Sequence, residues 1–202
     1  MAIQNRLAVL VNSAFFEREV RRVYRSRVDY NRLLKFLSDD SETNMFNKEG
    51  TFHDIVRAAY FYAETKFINN EFVDIDTDGR RRFLSALRQM GYEANSAFNS
   101  IDAKLITTGM QIASSGSVDT ILLLGATIDH VDFIWDLKSH GMRVISFVCD
   151  PMKLSERLKQ ALNQYYRLSP ELGFLNEQTD LPPEDDRDNI ESVPPVEAAT
   201  PV

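Results

Sequence analysis

The stretch Thr120-Ile-Leu-Leu-Leu124-Gly-Ala-Thr-Ile-Asp129-His-Val-Asp-Phe-Ile-Trp135-Asp-Leu-Lys-Ser-His140-Gly-Met-Arg143-Val-Ile-Ser-Phe-Val148 decides the fold. Thr120 to Leu124 is a short, unbroken apolar run, the pattern of a strand buried on both faces. From about Asp129 to His140 the spacing is helical, and Gly141 supplies the terminator. Arg143 to Val148 is a second apolar strand. A strand, a helix and another strand in this order predict parallel pairing with a crossover helix.

The same alternation extends in both directions. Leu7 to Val11 reads as a buried strand. Asp29 to Leu37 reads as a helix opened by a capping Asp, with Leu33, Leu34 and Leu37 on one face. Ala58 to Tyr62 is a strand, Arg80 to Met90 a helix stopped by Gly91, and Tyr92 to Phe98 a weaker strand. Asp102 to Ala113 is a helix. A last helix, from about Leu154 to Asn163, leads into Tyr165 to Leu168. Residues 45–51 and 69–79 read as loops. The prediction is an α/β chain folded as a Rossmann-like three-layer sandwich with a mostly parallel sheet.

Composition agrees. The chain has 202 residues, 44% hydrophobic and 26% charged, and no apolar run nears the roughly 20 residues of a bilayer span. It opens without a signal-peptide pattern, and Cys149 is its one cysteine, so a cytoplasmic location and no internal disulfide are expected. The net charge of −7 is unevenly placed. Residues 176–202 hold eight acids and one base, leaving 22 of each before them. The body, residues 1–175, is therefore a formally neutral domain. The Pro- and acid-rich remainder, 176–202, is expected to be a disordered tail.

In parallel sheets the site lies beyond the carboxyl ends of the strands. That rule selects residues after Val11, around Asn99 to Asp102, and after Leu124. Motifs at these places, in order, resemble the NYN domain of the LabA-like type within the PIN-like nuclease superfamily, over roughly residues 6–169. They are Leu7-Ala-Val-Leu-Val-Asn-Ser-Ala-Phe-Phe16, Arg57 to Tyr62, Phe83 to Tyr92, Ile101 to Met110, and Ser117 to Gly125 through Gly141 to Ile145. The resemblance implies a metal-dependent ribonuclease scaffold, in which aspartates at the strand ends gather around Mg²⁺ or Mn²⁺. Phosphodiester hydrolysis needs such a hard dication, held by oxygens, to activate water and offset charge on phosphate.

Here that acidic set is depleted. The first-strand Asp position holds Asn12, the helical one Thr108, and the first after Gly125 holds Ala126. Asp102 is retained, and Asp129 matches the second acid after Gly125 if one residue is inserted. No cofactor, or weakly bound Mg²⁺ or Mn²⁺, is therefore expected, with Asp102, Asp129 and Asn12 as the residual catalytic and metal positions.

Each residue also has a plainer reading. Asp102 and Asp129 are either ligands or helix caps, Asp132 a substitute ligand or part of a solvated face. Asn12 either orients water or ribose, or holds the strand-to-loop turn. His130 is a general base or, more commonly for a lone helical histidine, structural or exposed. Arg18, Arg21, Arg22 and Arg25 recur at helical spacing just after the first strand, beside Phe15, Phe16 and Tyr24. This is either an RNA-facing stripe or a solvated face neutralised by Glu17 and Glu19. Arg80-Arg-Arg82 is a second candidate patch, and the acidic tail is expected to compete for either. Trp135 serves a homodimer interface or the core.

Three functions follow, in order of expectation. The first is a catalytically impaired RNA-binding or regulatory protein, with RNA or a protein as partner. The second is an active Mg²⁺/Mn²⁺ ribonuclease. The third is a structural homo-oligomer.

Overall fold

The computed structural model describes residues 3–39, 51–68, 71–74, 77–98 and 100–177. Six parallel strands form its main sheet: β1 (Ile3–Asn12), β3 (Thr51–Ala63), β6 (Tyr92–Ala97), β7 (Thr120–Leu124), β8 (Arg143–Val148) and β9 (Gln164–Arg167). Their order across the sheet is β6-β3-β1-β7-β8-β9. The chain winds outward from β1 through β3 to β6, then returns to start β7 on the other side of β1. This reversal makes the β1/β7 boundary the topological switch point, where an open parallel sheet leaves a crevice at its carboxyl edge.

Side chains on the central strand alternate. Leu7, Val9 and Val11 pack on one face with Phe16, Val20, Leu33, Leu37, Leu84 and Leu87. These come from α1 (Ser13–Tyr24), α2 (Tyr30–Ser38) and α3 (Asp78–Gln89). Ala8 and Leu10 pack on the other face with Leu105, Ile112, Phe133, Ile134, Leu137 and Leu158. Those belong to α4 (Ile101–Ser115), α5 (Val131–Ser139) and α6 (Glu156–Ala161). Two apolar layers around one sheet give the three-layer sandwich that the alternating pattern predicts. Close approach of α4 to the sheet depends on Gly109, where an added Cβ would lie 2.9 Å from Phe133 Cε2 and 3.3 Å from Leu10 Cδ1.

Several expectations need correcting. The expected loop 69–79 contains β5 (Glu71–Asp74), which pairs antiparallel with β4 (Thr65–Ile68), and the start of α3. Two short strands of this kind carry too little period-2 signal to separate from a loop. The chain's last described strand, β10 (Leu175–Glu177), pairs antiparallel with β2 (Ser26–Val28) and so crosses the boundary drawn after residue 175. Residues 178–202 of the expected tail, Asn99, and residues 45–50 of the first expected loop lie outside the described residues. Trp135 is not core: it is 49% exposed, with Lys138 Nζ 4.2 Å from the ring centre. Among the described residues no helix is long and apolar enough to cross a membrane.

Candidate functional site

The switch point holds a polar cluster within an otherwise apolar edge. Asn12, the last residue of β1, is 3% exposed. Its Oδ1 accepts the Phe15 N–H at 3.4 Å and so caps α1, while its Nδ2 donates to Asp102 Oδ1 at 2.7 Å. Both readings of Asn12 thus meet in one side chain: it holds the strand-to-helix turn and reaches the retained acid.

Asp102 lies in the first turn of α4, but it is not the cap, because Ser100 takes that role by accepting from Ala103 N–H at 3.2 Å. This leaves the Asp102 carboxylate available for contacts across the cleft. The third member is His130. It is fully buried, and its Nε2 sits 3.2 Å from Asp102 Oδ1, off the line of a formed hydrogen bond. Its other nitrogen, Nδ1, accepts the Thr127 backbone N–H at 3.0 Å and lies 2.9 Å from the Thr127 hydroxyl. A ring whose Nδ1 accepts must, when neutral, carry its proton on Nε2, so the N–H faces the carboxylate. That neighbour holds the Asp102 carboxyl below its usual range; partial burial opposes the shift and Asn12 adds to it.

The general-base reading of His130 does not survive this arrangement. Its only lone pair is occupied by Thr127, and its proton-bearing edge is sealed from solvent beside Asp102. Asp129, which sequence spacing aligned with a metal ligand, is exposed on the one-turn 3-10 segment Ile128–His130 and joins no bond with Asp102. It is not a cap either, since Thr127 and His130 close that turn between them. Asp132 is likewise exposed. Thr108 is buried, with its hydroxyl donating back to Lys104 O at 2.9 Å. Ala126 is buried too.

The arginine stripe is shorter than its spacing suggests. Arg18, Arg21 and Arg22 lie on α1, but Arg25 is its C-cap in the left-handed region at φ 50° and leaves the helical face. Arg22 is held by Glu19 at 2.6 Å. Arg18 is exposed, its guanidinium 5.5 Å from the Phe15 ring centre. Arg80, from the second patch, stacks 5.0 Å over Tyr62 and bonds the Ala63 carbonyl at the end of β3.

Sequence reading did not single out His130 as the partner of Asp102, nor Glu17 as more than a neutralising charge. Glu17 Oε1 accepts from the hydroxyls of both Tyr30 and Tyr60 at 2.7 Å. No local pattern announces either contact, because the partners lie on different elements.

The sequence matches the NYN domain family over residues 6–169. The chain belongs to the NYN family. This is a nuclease-like family, and the described site occupies the edge where such a sheet carries its chemistry. No curated protein matches the chain. Among solved structures, a protein of unknown function from Vibrio parahaemolyticus superposes with a TM-score of 0.62 at 19% identity, covering 85% of this chain and 96% of that one. At that identity the likeness establishes the NYN chain's fold alone.

Proposed function

We propose that this NYN-domain chain is catalytically impaired and binds single-stranded RNA along the carboxyl edge of its sheet. One observation carries the reading: Asp102 Oδ1, on the acid retained at the switch point, is already occupied by the Asn12 amide and faced by the His130 N–H. A hard dication needs several anionic oxygens converging on one point. Asn12 turns its oxygen to the helix cap, Asp129 stands apart, and among the described residues no three His, Cys, Asp or Glu side chains gather. These residues do not fit Mg²⁺ or Mn²⁺.

Support for RNA comes from what surrounds the edge. Phe98, at the end of β6, is 60% exposed, and Ile128 and Met152 are exposed beyond the ends of β7 and β8. Arg18 and Arg80 add positive charge beside Phe15 and Tyr62. Aromatic faces interleaved with guanidinium groups suit a flexible polyanion with unstacked bases. Calorimetric titration of Mn²⁺, with labelled single-stranded RNA followed for binding and cleavage, tests the reading. Salt-sensitive binding without cleavage is expected. Mn²⁺-dependent cleavage abolished by Asp102→Asn would instead establish the working ribonuclease.

A homodimer is the second reading, and it rests on Trp135, which is large, aromatic and half exposed on α5. Sedimentation of wild type against Trp135→Ala distinguishes it, with monomer in both cases counting against it.

A further inference from the structure

A small cavity of about 220 Å³, sharing no residue with the Asn12–Asp102–His130 cluster, is lined by Glu17, Arg21, Ser26, Arg27, Tyr30 and Phe83. Its carboxylate is half committed. Glu17 Oε1 takes both tyrosine hydroxyls, which fills its two lone pairs and pins the group, while Oε2 accepts no hydrogen bond among the described residues. Burial first, and then Glu17 itself, push the Tyr30 and Tyr60 hydroxyls far above their ordinary range, so both stay protonated donors. Oε2 is therefore an anionic acceptor held in a fixed place and open to an outside donor.

The rest of the lining supplies the opposite chemistry. Arginine side chains only donate, and Arg27 is exposed and makes no ion pair among the described residues. Phe83 is 40% exposed and packs its ring against Tyr30 and Tyr60 at centroid distances of 6.1 and 5.8 Å. The cavity is smaller than the ~300–1,000 Å³ typical of pockets for drug-sized ligands, so it suits one heterocycle.

An acceptor, a donor pair and an apolar ring around one heterocycle select among the four bases. Guanine offers N–H donors at N1 and N2 on its pairing edge and acceptors at O6 and N7 beside them, the latter the commonest partner of arginine. Adenine places an amine next to N7 and would oppose the arginine there. Cytosine and uracil lack adjacent donors for one carboxylate. Glu17 stands five residues after Asn12, about 7.5 Å along α1 from the carboxyl edge, a distance that a base turned out of a strand on that edge would have to span.

We propose that this cavity receives an unstacked guanine of bound single-stranded RNA, with Glu17 Oε2 accepting from its N1 and N2 donors, Arg27 donating to O6 and N7, and Phe83 covering its face. This rests on the RNA-binding reading and adds a base preference to it.

Fluorescence anisotropy of the full chain with labelled oligouridine hexamers, each carrying one guanine, inosine or adenine, provides the test. The guanine oligomer should bind about tenfold or more tighter than the adenine one, a single good base contact being worth roughly 1–3 kcal/mol. Inosine, which lacks the N2 amine, should fall between. Glu17→Gln, which keeps an oxygen for the tyrosines, and Arg27→Ala, at an exposed strand position, should each bring the guanine-to-adenine ratio close to one. Thermal melting verifies that both variants fold. Equal affinity for all three oligomers in wild type overturns the pocket and leaves RNA binding intact. A guanine preference that survives both variants also overturns it. Failure to bind any oligomer overturns pocket and RNA reading together.

Discussion

Asn12 and Asp102 are 90 positions apart in the chain, yet the amide of one donates to the carboxylate of the other at 2.7 Å. The bond ties the end of β1 to the first turn of α4 across the switch point of the sheet. An amide at position 12 satisfies the acid with a proton donor, whereas a second acid there would need a cation between them. The chemistry of the site therefore turns on one atom, Nδ2.

Asn12→Asp should make that dependence visible. Two carboxylates at hydrogen-bond distance repel, and the lost bond to a charged group costs about 1.5–3 kcal/mol. The variant's melting temperature should fall, then recover in millimolar Mn²⁺, because a ligand that binds only the folded state stabilises it. Wild type should show no such recovery. Scanning calorimetry with and without Mn²⁺ reads both, and equal responses would count against the acid-count argument.

Acid should weaken the same junction. The folded Asp102 carboxyl titrates below its unfolded counterpart, chiefly through His130 and then Asn12. Stability from such a group is fully present above the unfolded value, about 3.9, and drains away as pH falls through the lowered folded one. Urea unfolding at pH 7 and at pH 3 should show a smaller loss for Asp102→Asn than for wild type. The difference will be modest, since the Asp102 side chain is 46% exposed.

Gly125 is the tightest backbone position at the site. Its φ is +82°, and an added Cβ would lie 2.9 Å from the Asn12 carbonyl oxygen and 3.1 Å from Phe16 Cβ. The left-handed conformation alone costs an L-residue about 1–2 kcal/mol, and the contact with backbone has no flexible end to yield. Gly125→Ala should lower the urea midpoint by more than the conformational term alone, with the slope unchanged.

RNA affinity should fall with salt in proportion to the phosphates contacted. Arg18→Ala and Arg80→Ala should each reduce the slope of log affinity against log salt by about 1. Arg22→Ala should change it less, because Glu19 already holds that guanidinium at 2.6 Å. Equal effects from all three would mean that the Arg22–Glu19 pair opens on binding.

Much of the architecture was legible before any coordinates. Thr120 to Leu124 and Leu7 to Val11 are apolar throughout, and only a strand covered on both faces buries such runs. Asp29 does cap α2, accepting from the Asn31 and Arg32 N–H groups, as a carboxylate ahead of an amphipathic run should. Asn12 and Asp102 were both singled out from the strand-end rule, and the fold brings them into contact. Asp129 lies exposed on the turn after β7 and is not gathered with Asn12 and Asp102. Spacing from Gly125 aligned it with an acid, but a 3-10 turn rotates it outward and turns His130 inward. Likewise, helical spacing put Arg25 on the stripe, whereas the chain leaves the helix there at φ 50°.

What the sequence determined by itself is the layered α/β fold, the edge of the sheet that carries the site, and the scarcity of acids there. Those follow from periodicity, chain order and residue type, which are properties of short segments. Which side chains meet was decided by tertiary structure: His130 and Asn12 on one Asp102 oxygen, Tyr30 and Tyr60 on one Glu17 oxygen. Hydrogen bonds depend on distances of a few ångströms between atoms on separate elements. A one-residue change in a turn moves such atoms by more than that, without altering the hydrophobic pattern that specifies the fold.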